Sequence, residues 1–191
     1  MDTRLTPSQT VGPFFGPAMV RAGAERLVRA ATRGERITIE GRVLDGDCSP
    51  VPDAMLEIWQ ANAEGRYDHP EDTQEKRIDP DFHGFGRAGT DPSGAFRFHT
   101  IKPGAAVDPD GISYAPHIIV CVFARGLLHH LVTRIYFPDE PAANASDPVL
   151  SIVEPSRRAT LIARETDSPR ERTLRFDIVL QGDHETVFFD V

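Results

Sequence analysis

The chain has 191 residues, with 21 basic and 29 acidic side chains and a net charge of −8. This length suits one domain with a substantial core, and an acidic balance without a basic stripe argues against a nucleic-acid partner. No apolar run of about eighteen residues and no signal-like start are present, so we predict neither a membrane span nor a secretion signal.

The first half of the chain predicts strands separated by turns. Residues 18–31 carry weak helix signals, enough for one or two turns. Period-two alternation of apolar side chains predicts a first strand over 37–43 and a second over 53–60. Residues 62–87 form a long polar excursion rich in Gly, Pro and Asp, and loops of that length are usually functional or linking segments.

The second half continues the pattern. A turn at 91–94 leads into a strand that carries Phe96 and Phe98 and ends at Pro103-Gly104. Further strands are predicted over 115–124, 130–137, 173–180 and 186–189, with a short helical stretch near 155–161. We therefore predict an all-β fold, a β-sandwich of about eight strands with long loops and one or two short helices.

The cysteines indicate a reducing compartment. Cys48 and Cys121 are too few for a disulfide framework and do not form a C-x-x-C pair. Cys121 lies in an apolar strand, where a thiol behaves as a small hydrophobic group. We expect a cytoplasmic protein.

His117 is the most informative single residue. Side chains at i and i+2 of a strand share a face, so His-x-His would direct two imidazoles at one metal. Here the second position is Ile119, which has no donor atom. His129 and His130 are adjacent and point to opposite faces, whereas the remaining histidines, His69, His83, His99 and His184, suit solvated positions. A hydrogen-bonded core histidine is the alternative reading of His117.

Nine short strings occur in order along almost the whole chain. They are TPSQTVGPF at 6–14, LEIWQAN at 56–62, GRY at 65–67, FGR at 85–87, TIKPG at 100–104, APHI at 115–118, TRIYF at 133–137, RFDI at 175–178 and ETVFF at 185–189. Together they resemble the intradiol ring-cleaving dioxygenases. The resemblance implies a β-sandwich and a chemistry based on ferric iron held by two tyrosines and two histidines.

The resemblance also places those four ligand positions in this chain. They fall at about Gln74, at Ala105 or Ala106, at His117 and at Ile119. Only His117 can bind a metal, so we predict no catalytic, cofactor-binding or metal-binding residue in this chain. The tyrosines Tyr67, Tyr114 and Tyr136 align with no ligand position.

Some members of the family are built from two homologous chain types, and this chain resembles the type that has lost the metal ligands. In those members the β chain carries the Fe(III), and the assembly cleaves protocatechuate with O2 to 3-carboxy-cis,cis-muconate. The resemblance implies that this chain is the metal-free α type, a structural and pocket-completing subunit. We expect a single domain over 1–191, with residues 1–31 as an N-terminal arm that packs on the partner.

Four residues are predicted to contact the substrate. Thr10, Gly12 and Pro13 correspond to the arm that walls the site, where glycine permits close backbone approach and proline fixes φ. Arg134 offers a planar fork that matches a ring carboxylate. The competing interpretations are an arm that only packs on its partner and an arginine in an ordinary edge salt bridge.

Two other functions remain open at this point. The chain could be a free-standing, non-catalytic β-sandwich binding module, because fold does not fix function. A self-sufficient metalloenzyme would need unaligned histidines, and no pair of them has suitable spacing.

Overall fold

The computed structural model describes residues 7–12, 14–169 and 171–190. The strands are β1 Arg36–Leu44, β2 Met55–Gln60, β3 Phe85–Gly89, β4 Ala95–Ile101, β5 Ala106–Val107, β6 Ser113–Tyr114, β7 His117–Phe123, β8 Leu131–Tyr136, β9 Arg164–Thr166, β10 Arg172–Arg175 and β11 Ile178–Val179. The helices are α1 Phe15–Met19, α2 Pro141–Ser146, α3 Pro148–Ile152 and a 3-10 helix, Arg158–Leu161.

The first sheet is built around β1. This strand pairs antiparallel with β4 on one side and parallel with β10 and β11 on the other, and β9 extends the sheet beyond β10. The alternating residues Ile37, Ile39 and Val43 are fully buried, as the period-two pattern predicts.

The second sheet has the order β3-β2-β7-β8, with every pair antiparallel. Its inner face presents Ile58, Ile118 and Ile135, which share one hydrophobic core with Phe98 and Leu174 of the first sheet. Two sheets that enclose a common core form a sandwich, and the predicted all-β fold is confirmed.

The C-terminal strands differ from the prediction. The strand predicted over 173–180 is interrupted between β10 and β11, although its register along β1 is the same on both sides. At the interruption the chain passes so close to Gly41 that an added Cβ there would lie 1.8 Å from the Phe176 carbonyl oxygen. Residues 186–189 form a single bridge, Val132 to Phe189, rather than a strand.

The helices also differ. Residues 20–31 contain turns rather than helix, and the described helix of this region, α1, begins earlier. Pro148 occupies the first turn of α3, and Asp147 caps it by accepting from the amides of Val149 and Leu150. None of the helices described has the length and apolar character needed to cross a membrane.

Candidate functional site

Strand register places three side chains in one row on the outer face of the second sheet. Trp59 of β2 lies opposite Ile119 of β7, which lies opposite Arg134 of β8. One step along the same face, His117 lies opposite Tyr136. Because directly opposed residues share a face, these five side chains form a continuous floor.

Two loop segments cover this floor and leave a cavity of about 510 Å³. One is the 62–87 excursion, which contributes Tyr67 and Gln74, and the other is the β5–β6 hairpin, which contributes Ala106, Asp108 and Tyr114. The complete lining is Trp59, Tyr67, His69, Glu71, Asp72, Thr73, Gln74, Ala106, Val107, Asp108, Pro109, Tyr114, His117, Ile119 and Arg134. A cavity of this size is typical of small-molecule sites.

His117 is an uncharged hydrogen-bond acceptor toward this cavity. The residue is 5% exposed, and Nδ1 lies 2.8 Å from the carbonyl oxygen of Ala115. A carbonyl can only accept, so Nδ1 carries the proton and Nε2 keeps its lone pair. Burial, with the nearby Arg134 charge, lowers the pKa of His117 to about 4, so the ring is neutral at physiological pH.

Tyr67 is the partner of that lone pair. Its hydroxyl lies 3.3 Å from His117 Nε2, and its ring stacks on Trp59 with centroids 5.7 Å apart. Burial raises the pKa of Tyr67 to about 12, so the phenol is protonated and donates to the imidazole. The arrangement is a neutral phenol–imidazole pair.

Arg134 is half-buried beside this pair. Its guanidinium carbon lies 5.8 Å from the centroid of the Tyr114 ring, and Nη1 is 3.5 Å from the Tyr136 hydroxyl. Within the described ranges, no carboxylate oxygen lies within 4 Å of its guanidinium nitrogens. The edge salt bridge considered for Arg134 is therefore not formed within this chain's described residues.

Asp147 fixes the end of the site behind His117. It is 1% exposed and accepts from the Tyr136 hydroxyl at 3.0 Å and from the Ala115 amide at 2.9 Å. The same carboxylate caps α3, so one buried group joins the segment before β7, strand β8 and that helix.

The four positions expected for iron ligands come together in part. Gln74, Ala106, His117 and Ile119 all line the cavity, whereas Ala105 is not among its lining residues. Neither alanine nor isoleucine offers a lone pair, and Gln74 Nε2 is bonded to Asp72 and to the Gly65 carbonyl. The donor set does not fit ferric iron, and no group of three or more His, Cys, Asp or Glu suited to a metal occurs in the described part of the chain.

The N-terminal site residues lie elsewhere. Thr10 Oγ1 accepts from the amide of Gly126, in the turn that joins β7 to β8, and Gly12 is exposed. That turn is at the opposite end of β7 from His117, roughly 20 Å away at the usual strand rise. Pro13 lies outside the described residues. The structure thus separates Thr10 and Gly12 from Arg134.

The fold and the position of the cavity define a class. A dioxygenase family model matches residues 11–182, and the chain belongs to the intradiol dioxygenases, an iron-dependent family of oxidoreductases.

The chain is also similar in sequence to individual members of this family. The chain is 43% identical to the protocatechuate 3,4-dioxygenase alpha chain of Pseudomonas putida, over 97% of this chain and 96% of that one. It is 41% identical to the beta chain from Burkholderia cepacia, over 78% of this chain and 66% of the other. Among solved structures, the dioxygenase domain of a carbohydrate-binding fusion from Streptomyces sp. SirexAA-E matches with a TM-score of 0.63 and 31% identity, over 93% of this chain and 98% of that one.

Sequence reasoning missed the aromatic walls. The sequence assigns no site role to Trp59, and Tyr67 and Tyr114 align with no ligand position. His117 and Ile119 share a face of β7, and the β2–β7 register places Trp59 directly opposite Ile119 on that same face. That register would have been the signal for Trp59. The two tyrosines come from loops, where no periodic signal exists.

Proposed function

We propose that this chain is the α subunit of a protocatechuate 3,4-dioxygenase, in which a homologous β chain holds the ferric iron. The observation that carries the proposal is the donor set of the cavity. Three of the four positions expected for iron ligands are occupied by Gln74, Ala106 and Ile119. Similarity to alpha chains over almost the full length of both proteins supports it.

The assembly cleaves protocatechuate with O2 to 3-carboxy-cis,cis-muconate. The partner's iron supplies Lewis acidity and a template for the diol. This chain supplies structure and the remaining walls of the site. A reducing cytoplasm suits the two cysteines, which are free in the described structure.

The N-terminal arm is the proposed contact with the partner. Phe14 is 81% exposed, and α1 has no buried residue. Phe14 immediately precedes α1, and an exposed aromatic side chain is stabilised when another chain covers its apolar surface. Leu27, in contrast, is buried in this chain's own core, so the partner-facing part of the 1–31 arm is its first portion. Thr10, Gly12 and Pro13 belong to that portion, and we assign them to the wall of the partner's site.

The assignment is tested by expressing the chain alone and together with a β-type chain. Iron–tyrosinate centres absorb visible light, so the chain alone is expected to be colourless and the copurified complex coloured and active. A red preparation of this chain alone, loaded with stoichiometric iron, would overturn the assignment. A colourless, inactive complex with a genuine β-type partner would also contradict it.

The arm is tested within the complex. Thr10→Val removes the contact with Gly126, and we expect a KM for protocatechuate several-fold higher with iron content unchanged. Ser8→Ala is the matched control, because Ser8 contacts His129 by another exposed hydrogen bond of 3.2 Å. Equal KM values for the two variants would remove Thr10 from the site wall.

A further inference from the structure

The cavity above the second sheet contains a positive charge that has no carboxylate oxygen within 4 Å among the described residues. Arg134 is half-buried, and the one hydrogen bond of its guanidinium among the described residues is the 3.5 Å contact with a tyrosine hydroxyl. A partly buried guanidinium is stabilised by a charged or strongly polar hydrogen-bond partner. An anion that enters the cavity could be that partner.

The acidic residues at the rim already have other partners. Asp72 accepts from the amides of Tyr67 and Gln74 and from the Gln74 side chain. Asp108 accepts from two amides of its own hairpin and from the Tyr114 hydroxyl. Glu71 is exposed to solvent. These carboxylates are held by local bonds, which leaves the Arg134 fork available to a ligand.

The remaining walls suit a flat ring that bears a hydroxyl group. Trp59, Tyr67 and Tyr114 supply aromatic surface, and Ile119 supplies an apolar patch between Trp59 and Arg134. An acceptor is also present: the side-chain oxygen of Gln74 is buried and has no hydrogen-bond donor among the residues described, whereas His117 Nε2 already accepts from Tyr67. The Gln74 oxygen can accept from a phenolic hydroxyl.

We propose that this cavity binds a small hydroxylated aromatic carboxylate without a metal. The carboxylate pairs with Arg134, the ring packs against the aromatic walls, and a ring hydroxyl donates to the side-chain oxygen of Gln74. The site is one of binding rather than catalysis, because the cavity offers no ferric ligand set and no activated nucleophile. It requires no partner chain, so it stands or falls separately from the proposed subunit role.

Binding is tested on the isolated full-length chain by calorimetry with 4-hydroxybenzoate. Trp59 is the only tryptophan in the chain, so its fluorescence reports whether the bound molecule occupies this cavity. We expect saturable binding accompanied by a change in Trp59 emission. Phenol, which lacks the carboxylate, is expected to bind at least tenfold more weakly, because the charge-assisted pair with Arg134 is lost.

Two variants connect the effect to Arg134. Arg134→Gln is expected to weaken 4-hydroxybenzoate at least tenfold and to change phenol less than twofold. Arg164→Gln, at an exposed arginine of β9, is the matched control and should bind like the parent. If Arg134→Gln fails to fold, Ile119→Phe tests the same cavity by narrowing it and should also reduce affinity.

Three results would overturn the proposal. They are the absence of saturable binding at millimolar ligand, binding without a response from Trp59, and equal affinity of the Arg134→Gln and parent chains. A coloured, active complex whose isolated α chain binds no 4-hydroxybenzoate would refute this inference alone. Binding by the chain together with a colourless, inactive complex would refute only the subunit assignment.

Discussion

Asp147→Ala is expected to be among the most destabilising single substitutions near the cavity. The carboxylate accepts four hydrogen bonds, from the Ala115 amide, the Tyr136 hydroxyl and the first amides of α3. Loss of the helix cap costs about 1 kcal/mol. Leaving a buried amide and a buried hydroxyl without an acceptor adds about 1–3 kcal/mol each. The free energy of unfolding should therefore fall by about 3–7 kcal/mol, which is a large fraction of a domain's total stability.

The assay is urea unfolding followed by far-ultraviolet circular dichroism and by Trp59 fluorescence. Asp147→Asn retains one acceptor oxygen and is expected to cost less, about 1–2 kcal/mol. Asp91→Ala is the matched control, because Asp91 accepts from Ser93 and Ala95 in a turn where water can replace the carboxylate. A loss below 1 kcal/mol for Asp147→Ala, or a loss equal to that of Asp91→Ala, would show that the buried network is not a principal tie between the sheet and α3.

Three further predictions concern protonation, backbone space and metal binding. The pKa of His117 falls from 6.5 in the unfolded chain to about 4 in the folded one. The fold therefore has its full stability above pH 6.5 and loses stability as the pH falls toward 4, because protons bind the unfolded chain first. His117→Gln should remove on the order of 3 kcal/mol of that pH dependence in urea unfolding, whereas His184→Gln should leave it intact. An unchanged pH profile for His117→Gln would contradict the buried, neutral ring. Gly65 and Gly23 both have positive φ, but a Cβ at Gly65 would lie 1.9 Å from the Ala105 carbonyl oxygen, whereas one at Gly23 meets nothing within 4 Å. Gly65→Ala should therefore lower the midpoint of unfolding clearly more than Gly23→Ala. Equal midpoints would refute the close approach of the Ala105 carbonyl to Gly65. A chain carrying Gln74→Tyr, Ala106→Tyr and Ile119→His should bind one ferric ion with visible absorption, measured by metal analysis and spectroscopy. The same chain with His117→Ala in addition should not bind it. Equal iron content in both chains would show that the four positions do not converge on one metal.

The regular part of the fold follows from local patterns. Alternation at Ile37, Ile39 and Val43 predicts β1, and the apolar run that begins before His117 predicts the central strand β7. Apolar and polar side chains also alternate over 173–180, but this pattern does not reveal that the strand is interrupted at Phe176. That break depends on the close passage of Gly41, a residue more than a hundred positions away.

The cavity was predictable only as a set of positions. Resemblance placed Gln74, Ala106, His117 and Ile119 in one site, and the structure brings them together around one cavity. The path of the covering loop was not predictable, because long-range contacts set it. The Lys76 ammonium donates to the Ala105 carbonyl at 2.7 Å, and the Arg33 amide donates to Asp79 at 2.9 Å. Such contacts have no periodic signature in the sequence.

The residues at the three positions that the resemblance assigns to iron ligands have a physical consequence beyond their lack of a ferric donor set. Glutamine, alanine and isoleucine are uncharged at every accessible pH, and His117 is neutral above about pH 4. Arg134 therefore carries the only permanent positive charge on the cavity lining described here. Glu71, Asp72 and Asp108 also line the cavity, so a ligand's negative charge is favoured only where it pairs directly with Arg134. In the proposed site, recognition of the ligand therefore depends on the geometry of that pair rather than on chelation of a metal.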